Sequence, residues 1–143
     1  MKRQLLGVVG ALLVIMLVGA VNAVAQTISL EAKIPFDFVI GGKTLPAGDY
    51  SIYSTGLNAP QLILFRNARA GASAIASTGP VEPKTGRGTN KLVFHRYGDK
   101  YFLSLIWGSD DRVARGLGKS KLEREFTAST ASSSEVIVAA NSR

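Results

Sequence analysis

The chain is 143 residues long, carries a formal charge of +7 and has no cysteine. That length fits one domain of ordinary size, and the missing cysteine excludes disulfides, thiolate metal centres, a cysteine nucleophile and a lipobox. Without Lys2 and Arg3, 15 basic residues stand against 10 acidic ones, and this +5 is scattered with no dense run, which reads as a solvated surface exerting a moderate long-range pull on anionic polymers or head groups.

Met1-Lys2-Arg3 is a short positive start, and residues 5–21 (LLGVVGALLVIMLVGAV) form an uncharged apolar run. Ala23-Val24-Ala25 then supplies the small side chains that a signal peptidase needs, so cleavage is expected between Ala25 and Gln26. The competing reading is an uncleaved membrane anchor, since 17 apolar residues lie at the lower limit for spanning a bilayer. Residues 1–25 are therefore expected to be a signal peptide, 26–128 a β-rich globular domain and 129–143 a Ser-rich tail. The expected location is the periplasm or the exterior, with the membrane involved only through the signal segment.

In residues 28–34, Ile28, Leu30, Ala32 and Ile34 alternate with polar positions, the period of a half-buried strand that Pro35 ends or holds at an edge. A second strand is expected over 36–40 (FDFVI). Gly41-Gly42 turns the chain, and Leu45-Pro46-Ala47-Gly48 makes another turn. Residues 49–54 (DYSIYS) alternate again, and 61–66 (QLILFR) read as a strand covered on both faces. Residues 72–78 form a weaker strand of small side chains, and 79–90 (GPVEPKTGRGTN) a loop rich in breakers.

Residues 91–97 and 100–107 flank Gly98-Asp99, a two-residue connection that suits a type II′ hairpin. This turn pairs Phe94 with Leu103, Leu92 with Leu105 and Arg96 with Tyr101. One face then carries Leu92, Phe94, Tyr101, Leu103, Leu105 and Trp107 as core. The other carries Val93, His95, Tyr97, Lys100, Phe102, Ser104 and Ile106 and is expected to be half covered. Residues 108–118 read as loop and 119–128 (KSKLEREFTA) as a short helix docking through Leu122 and Phe126. Residues 127–134 (TASTASSS) read as a linker, and 135–140 (EVIVAA) either add a last strand or remain a frayed tail. At least six short strands and one helix predict a mainly β fold, a small antiparallel β-sandwich or barrel with one short C-terminal helix.

Three stretches, residues 34–50 (IPFDFVIGGKTLPAGDY), 92–103 (LVFHRYGDKYFL) and 119–125 (KSKLERE), resemble a group of small exported proteins abundant in soil bacteria of the Acidobacteria type. The resemblance spans roughly residues 34–125 and implies an exported, signal-bearing domain without implying an activity. The Ser-rich ending departs from the group's shorter one.

No constellation in the sequence points to catalysis. His95 is the one histidine, without the spacing of a metal site, and reads as a structural imidazole; no metal or cofactor is expected. A serine triad with Asp99 or Asp49 lacks a nucleophile-elbow motif. Asp110-Asp111 are adjacent and diverge, unlike a glycosidase pair. Asp37 and Asp49 read as caps on turn amides. Gly41-Gly42-Lys43-Thr44 is no phosphate loop, because Asp37 stands where the first glycine belongs and no helix follows. The aromatics Tyr50, Tyr53, Tyr97, Tyr101, Phe102 and Trp107, with Arg96 and Lys100, are candidates for a sugar-stacking platform, although core packing claims many of them. The expected function is a non-catalytic exported binding or structural domain whose candidate ligand residues are His95, Arg96, Tyr97, Lys100 and Phe102. Envelope glycans or anionic polymers are its expected partners, and nucleic acid is not. An extracytoplasmic hydrolase or a carbohydrate-binding module is the alternative.

Overall fold

The computed structural model describes residues 28–56, 58–82, 89–108, 114–130 and 132–143. The expected signal segment with its Ala25–Gln26 junction, and the pair Asp110-Asp111, lie outside the described residues. Among the described residues there are eleven strands, in chain order β1 (Ser29–Ile34), β2 (Phe38–Ile40), β3 (Lys43–Leu45), β4 (Gly48–Ser54), β5 (Leu62–Asn67), β6 (Ala72–Ser77), β7 (Gly79–Val81), β8 (Lys91–Tyr97), β9 (Lys100–Trp107), β10 (Ala114–Gly116) and β11 (Ser134–Ser142). A helix, α1 (Lys121–Ser129), precedes β11.

The strands form one curled sheet in the order β3-β2-β9-β8-β11-β1-β4-β5-β6. Every pairing is antiparallel except the short contact of β2 with β9. At the two ends of the path, β3 and β6 come back together, where Lys43 Nζ donates to Ser73 O at 2.8 Å. The result is a nearly closed barrel, one of the two architectures expected. Curling a sheet on itself removes its edges and places every second residue inside.

The inward positions do pack as one core. Leu30, Ala32 and Ile34 of β1 meet Tyr50 and Ile52 of β4, Ile63 and Phe65 of β5, Leu92 and Phe94 of β8, and Val138 and Ala140 of β11. Phe38 sits at the centre of an aromatic group, with ring centroids 5.2 Å from Tyr50, 5.5 Å from Phe94 and 6.2 Å from Phe65, all edge-on. Asp37 Oδ1 accepts from Ala47 N at 2.8 Å, the turn cap expected of it. Asp49 instead lies within β4 opposite Lys33. Tyr50 donates to Pro46 O at 2.6 Å. Burial raises its hydroxyl above the usual phenol value; a hydrogen bond with Asn67 works against this, and the charge of Asp37 adds to it.

Two turns behave as their residues dictate. Gly41 and Gly42 both have positive φ, at 57° and 84°, the signature of a type I′ turn joining β2 to β3. Gly98 alone of its pair is positive, at 62°, which gives the type II′ turn between β8 and β9.

Several expectations are corrected. β5 is covered on one face, since its residues alternate between buried and partly exposed. The stretches read as loops at 79–90 and 108–118 contain β7 and β10, which pair with each other, and β10 also lies on β9. Residues 135–140 take the strand alternative as part of β11, which is no edge: it lies between β8 and β1. Both ends of the expected linker are structured, since α1 runs to Ser129 and β11 starts at Ser134.

The hairpin register holds from Tyr97 back to Phe94, which pairs with Leu103, and then shifts. Val93 pairs with Leu105, and Leu92 with Ile106 rather than with Leu105. Ser104 is the extra residue of a β-bulge, and its carbonyl accepts from Leu117 N at 2.9 Å. Beyond the bulge the faces of β9 exchange. Ile106 joins the main core, while Trp107 packs with Val93, Ala114 and Leu105 on the outside of the barrel under β10.

Candidate functional site

The outer face of the β8–β9 hairpin is where the helix docks. Ser120 caps α1, its Oγ accepting from Glu123 N at 3.1 Å. In a full capping box the glutamate three residues on reaches back to the cap's own N–H, but here its carboxylate turns into the sheet. Glu123 Oε1 lies 3.2 Å from His95 Nδ1 and accepts from the Tyr97 hydroxyl at 3.3 Å. Glu123 is only 5% exposed, so these donors replace the water its carboxylate gives up. Three residues on, Phe126 covers Phe102 with ring centroids 5.8 Å apart, above a small second core of Val39, Tyr97 and Phe102. The docking stripe is therefore Glu123 and Phe126. Leu122, expected to dock, stays 36% exposed.

This arrangement fixes an imidazole by Nδ1 against a buried carboxylate, the orienting half of a general base. The ring also meets Tyr97 edge-on at 6.3 Å and shares its carboxylate oxygen with the Tyr97 hydroxyl. Its evident work is to hold α1 on the barrel. Replacing Glu123 with alanine leaves the His95 and Tyr97 donors facing a hole, and the expected cost is about 1–3 kcal/mol. The check is a urea titration followed by tryptophan fluorescence; an unchanged midpoint would show that the latch is idle.

The five ligand residues expected from the sequence do not share one surface. His95 and Tyr97 point at Glu123, and Phe102 is buried beneath Phe126. Lys100 is exposed at the start of β9. Arg96 points to the opposite face, its guanidinium over the Tyr101 ring at 5.5 Å. Nor do the aromatics form a platform. Tyr50 is core, Trp107 is 1% exposed with Lys91 Nζ 5.2 Å from its ring, and Tyr101 stacks on Phe36 at 3.9 Å. Tyr53 alone is half-buried on the outer wall.

Concave surface lies elsewhere. A groove of about 860 Å³ runs along the barrel seam, between Gly41, Gly42, Ala76 and Ser77 on one side and residues 117–122 with Glu125 on the other. Gly41 lies against β6 there, where a side-chain carbon would come 3.4 Å from Ile75 O. Thr78 N donates to Gln61 O at 2.8 Å, toward β5. Alternation along the strand therefore turns the main-chain groups of Ser77 the other way, to the groove. Lys119 and Lys121 stand on the opposite wall, with Glu125 the one acidic side chain lining it. A second depression of about 410 Å³ on the outer wall mixes Lys33, Arg66 and Arg69 with Glu31 and Asp49. A third, of about 270 Å³, lies at the turn end of the β8–β9 hairpin.

Sequence reasoning missed Glu123 and the seam. The spacing Ser120-x-x-Glu123 was a readable helix-start signal; nothing local announces that β3 and β6 meet. No family model matches the chain, and no curated protein and no solved structure matches it.

Proposed function

We propose that this chain is an exported, non-catalytic binding domain that holds an anionic glycan or related polymer of the cell envelope or exterior in the seam groove. The observation that carries the reading is the groove itself: an open trough with strand-edge main-chain groups on one wall and two lysines on the other. Main-chain N–H and C=O groups suit the hydroxyls of a sugar chain, and the lysines suit its acidic groups. The basic excess of the chain beyond residue 25 draws such a polymer toward the surface before contact. The apolar leader and its Ala23-Val24-Ala25 site support export.

The test uses chain beginning at Gln26 and immobilised acidic polysaccharide beside a neutral one. Binding to the acidic polymer is expected, weakening as salt is raised. The double variant Lys119→Glu, Lys121→Glu is expected to lose roughly tenfold or more in affinity, since each change replaces attraction with repulsion. Equal retention on both polymers, or an unaffected variant, would overturn the reading of the groove. N-terminal sequencing of the native protein should begin at Gln26; recovery with Met1 intact from the cytosol would overturn export.

A further inference from the structure

Among the described residues, Arg96 is held in place without an acidic partner. Its Nε donates to Gly98 O at 2.7 Å, which pins the guanidinium across the hairpin turn. Its Cζ lies over the Tyr101 ring, 5.5 Å from the centroid. Tyr101 is stacked in turn on Phe36, with ring centroids 3.9 Å apart at 14°, and Phe36 meets the core ring of Phe94 edge-on at 5.2 Å. This column of rings anchors the cation to the barrel core. Among the described residues no carboxylate lies within ion-pair distance of it. Asp99 sits in the turn, and Glu135 belongs to the face of β11 opposite His95. One of the five guanidinium N–H donors is used on Gly98, which leaves the four on the Nη atoms.

Those donors border the small depression of about 270 Å³ lined by Arg96, Gly98, Ser132, Ser133 and Ser134. Ser134 is the direct cross-strand partner of Arg96. Ser132 and Ser133 arrive from the short link between α1 and β11. Three consecutive serines thus line the depression beside the guanidinium, and among the described residues no acidic side chain lines it.

We infer that Arg96 and Ser132–Ser134 form a second binding site, for the oxyanion group of a ligand: a phosphate, sulfate or carboxylate. The guanidinium supplies a bidentate, charge-assisted pair of N–H donors. The serine hydroxyls rotate to donate to the remaining oxygens. Preorganisation by the Tyr101–Phe36 column spares the side-chain ordering that a free arginine would lose on binding. The inference does not depend on the seam groove, which opens at the start of α1, whereas this depression follows the helix's end.

The experiment is a nuclear magnetic resonance titration of the ¹⁵N-labelled chain from Gln26 with inorganic phosphate, sulfate, glucuronate and, as a neutral control, glucose. Saturable shifts of the Gly98 and Ser132–Ser134 amides are expected with at least one anion and not with glucose. Which anion binds most tightly identifies the group preferred. Arg96→Gln is expected to abolish the shifts, and Arg96→Lys, which keeps the charge but not the fork, to weaken binding roughly tenfold. Lys100→Gln, one strand away, should leave binding unchanged. Because Arg96 is exposed, the variants should keep wild-type amide spectra elsewhere. Absence of saturable shifts at these amides, or shifts that survive in Arg96→Gln or fall equally in Lys100→Gln, would overturn the site. Loss of polymer binding by the lysine variant with intact phosphate or sulfate shifts would separate the two sites.

Discussion

A chain that stops at Thr130 will not fold cooperatively. The thirteen residues removed include all of β11, whose partners are Lys91 to Arg96 of β8 on one side and Leu30 to Ala32 of β1 on the other. Without it, both neighbours become open edges in the middle of the sheet, with main-chain donors and acceptors unmet on each. The inward side chains Leu30, Ala32, Leu92 and Phe94 also lose the cover of Val138 and Ala140. Native domains are stable by about 5–15 kcal/mol, and the loss of a central strand exceeds that margin. Circular dichroism and a urea titration decide: the expected result is a non-cooperative, aggregation-prone chain, and a sharp unfolding transition in the truncated form would show that the barrel closes without β11. Val138→Asp, a single change that buries a charge at the same place, is expected to cost several kcal/mol by the same logic.

Phe38→Ala is the most damaging cavity expected in the core. Phe38 is 1% exposed and belongs to a strand of only three residues, tied to β9 by a short parallel contact. Its ring carries the attachment of β2 to the rest of the barrel, touching Tyr50, Phe65 and Phe94 from three different strands. A large-to-small change at such a site costs about 3–5 kcal/mol. For a domain of this size the melting temperature should fall by roughly 10 °C or more. Phe126→Ala, which removes a partly buried ring from the small cluster under α1, should cost clearly less. Calorimetry on the two variants checks the ranking, and an equal drop would mean that α1 contributes as much as the inner core.

The sequence announced the elements whose causes are local. Alternation in β1 and β4 is visible because one face of each is buried, so every second residue must be apolar. The Gly98-Asp99 turn is visible because only glycine takes the positive φ at that corner at no steric cost. Illegible features have causes far along the chain. The bulge at Ser104 offers its carbonyl to a donor at Leu117, just past β10, and nothing in residues 100–107 records that contact. The three-residue strands β3, β7 and β10 are too short to display a period. For β11, the apolar stretch 135–140 left a last strand and a frayed tail equally open, because its place between β8 and β1 is a matter of long-range pairing. Of the candidate site, His95 was legible as a residue to watch, but its partner was not: Glu123, 3.2 Å away, was disguised as one charge among several on the outward side of a helix.

Leu30 and Ser142 are register partners more than a hundred residues apart in sequence. Contacts so remote are entropically slow to form, and this one cannot exist while β11 is still inside the ribosome. The barrel therefore cannot shut until β11 has been synthesised and released from the tunnel: up to that moment the nascent chain lacks its keystone and stays pliable enough to be threaded, bound by a chaperone or degraded.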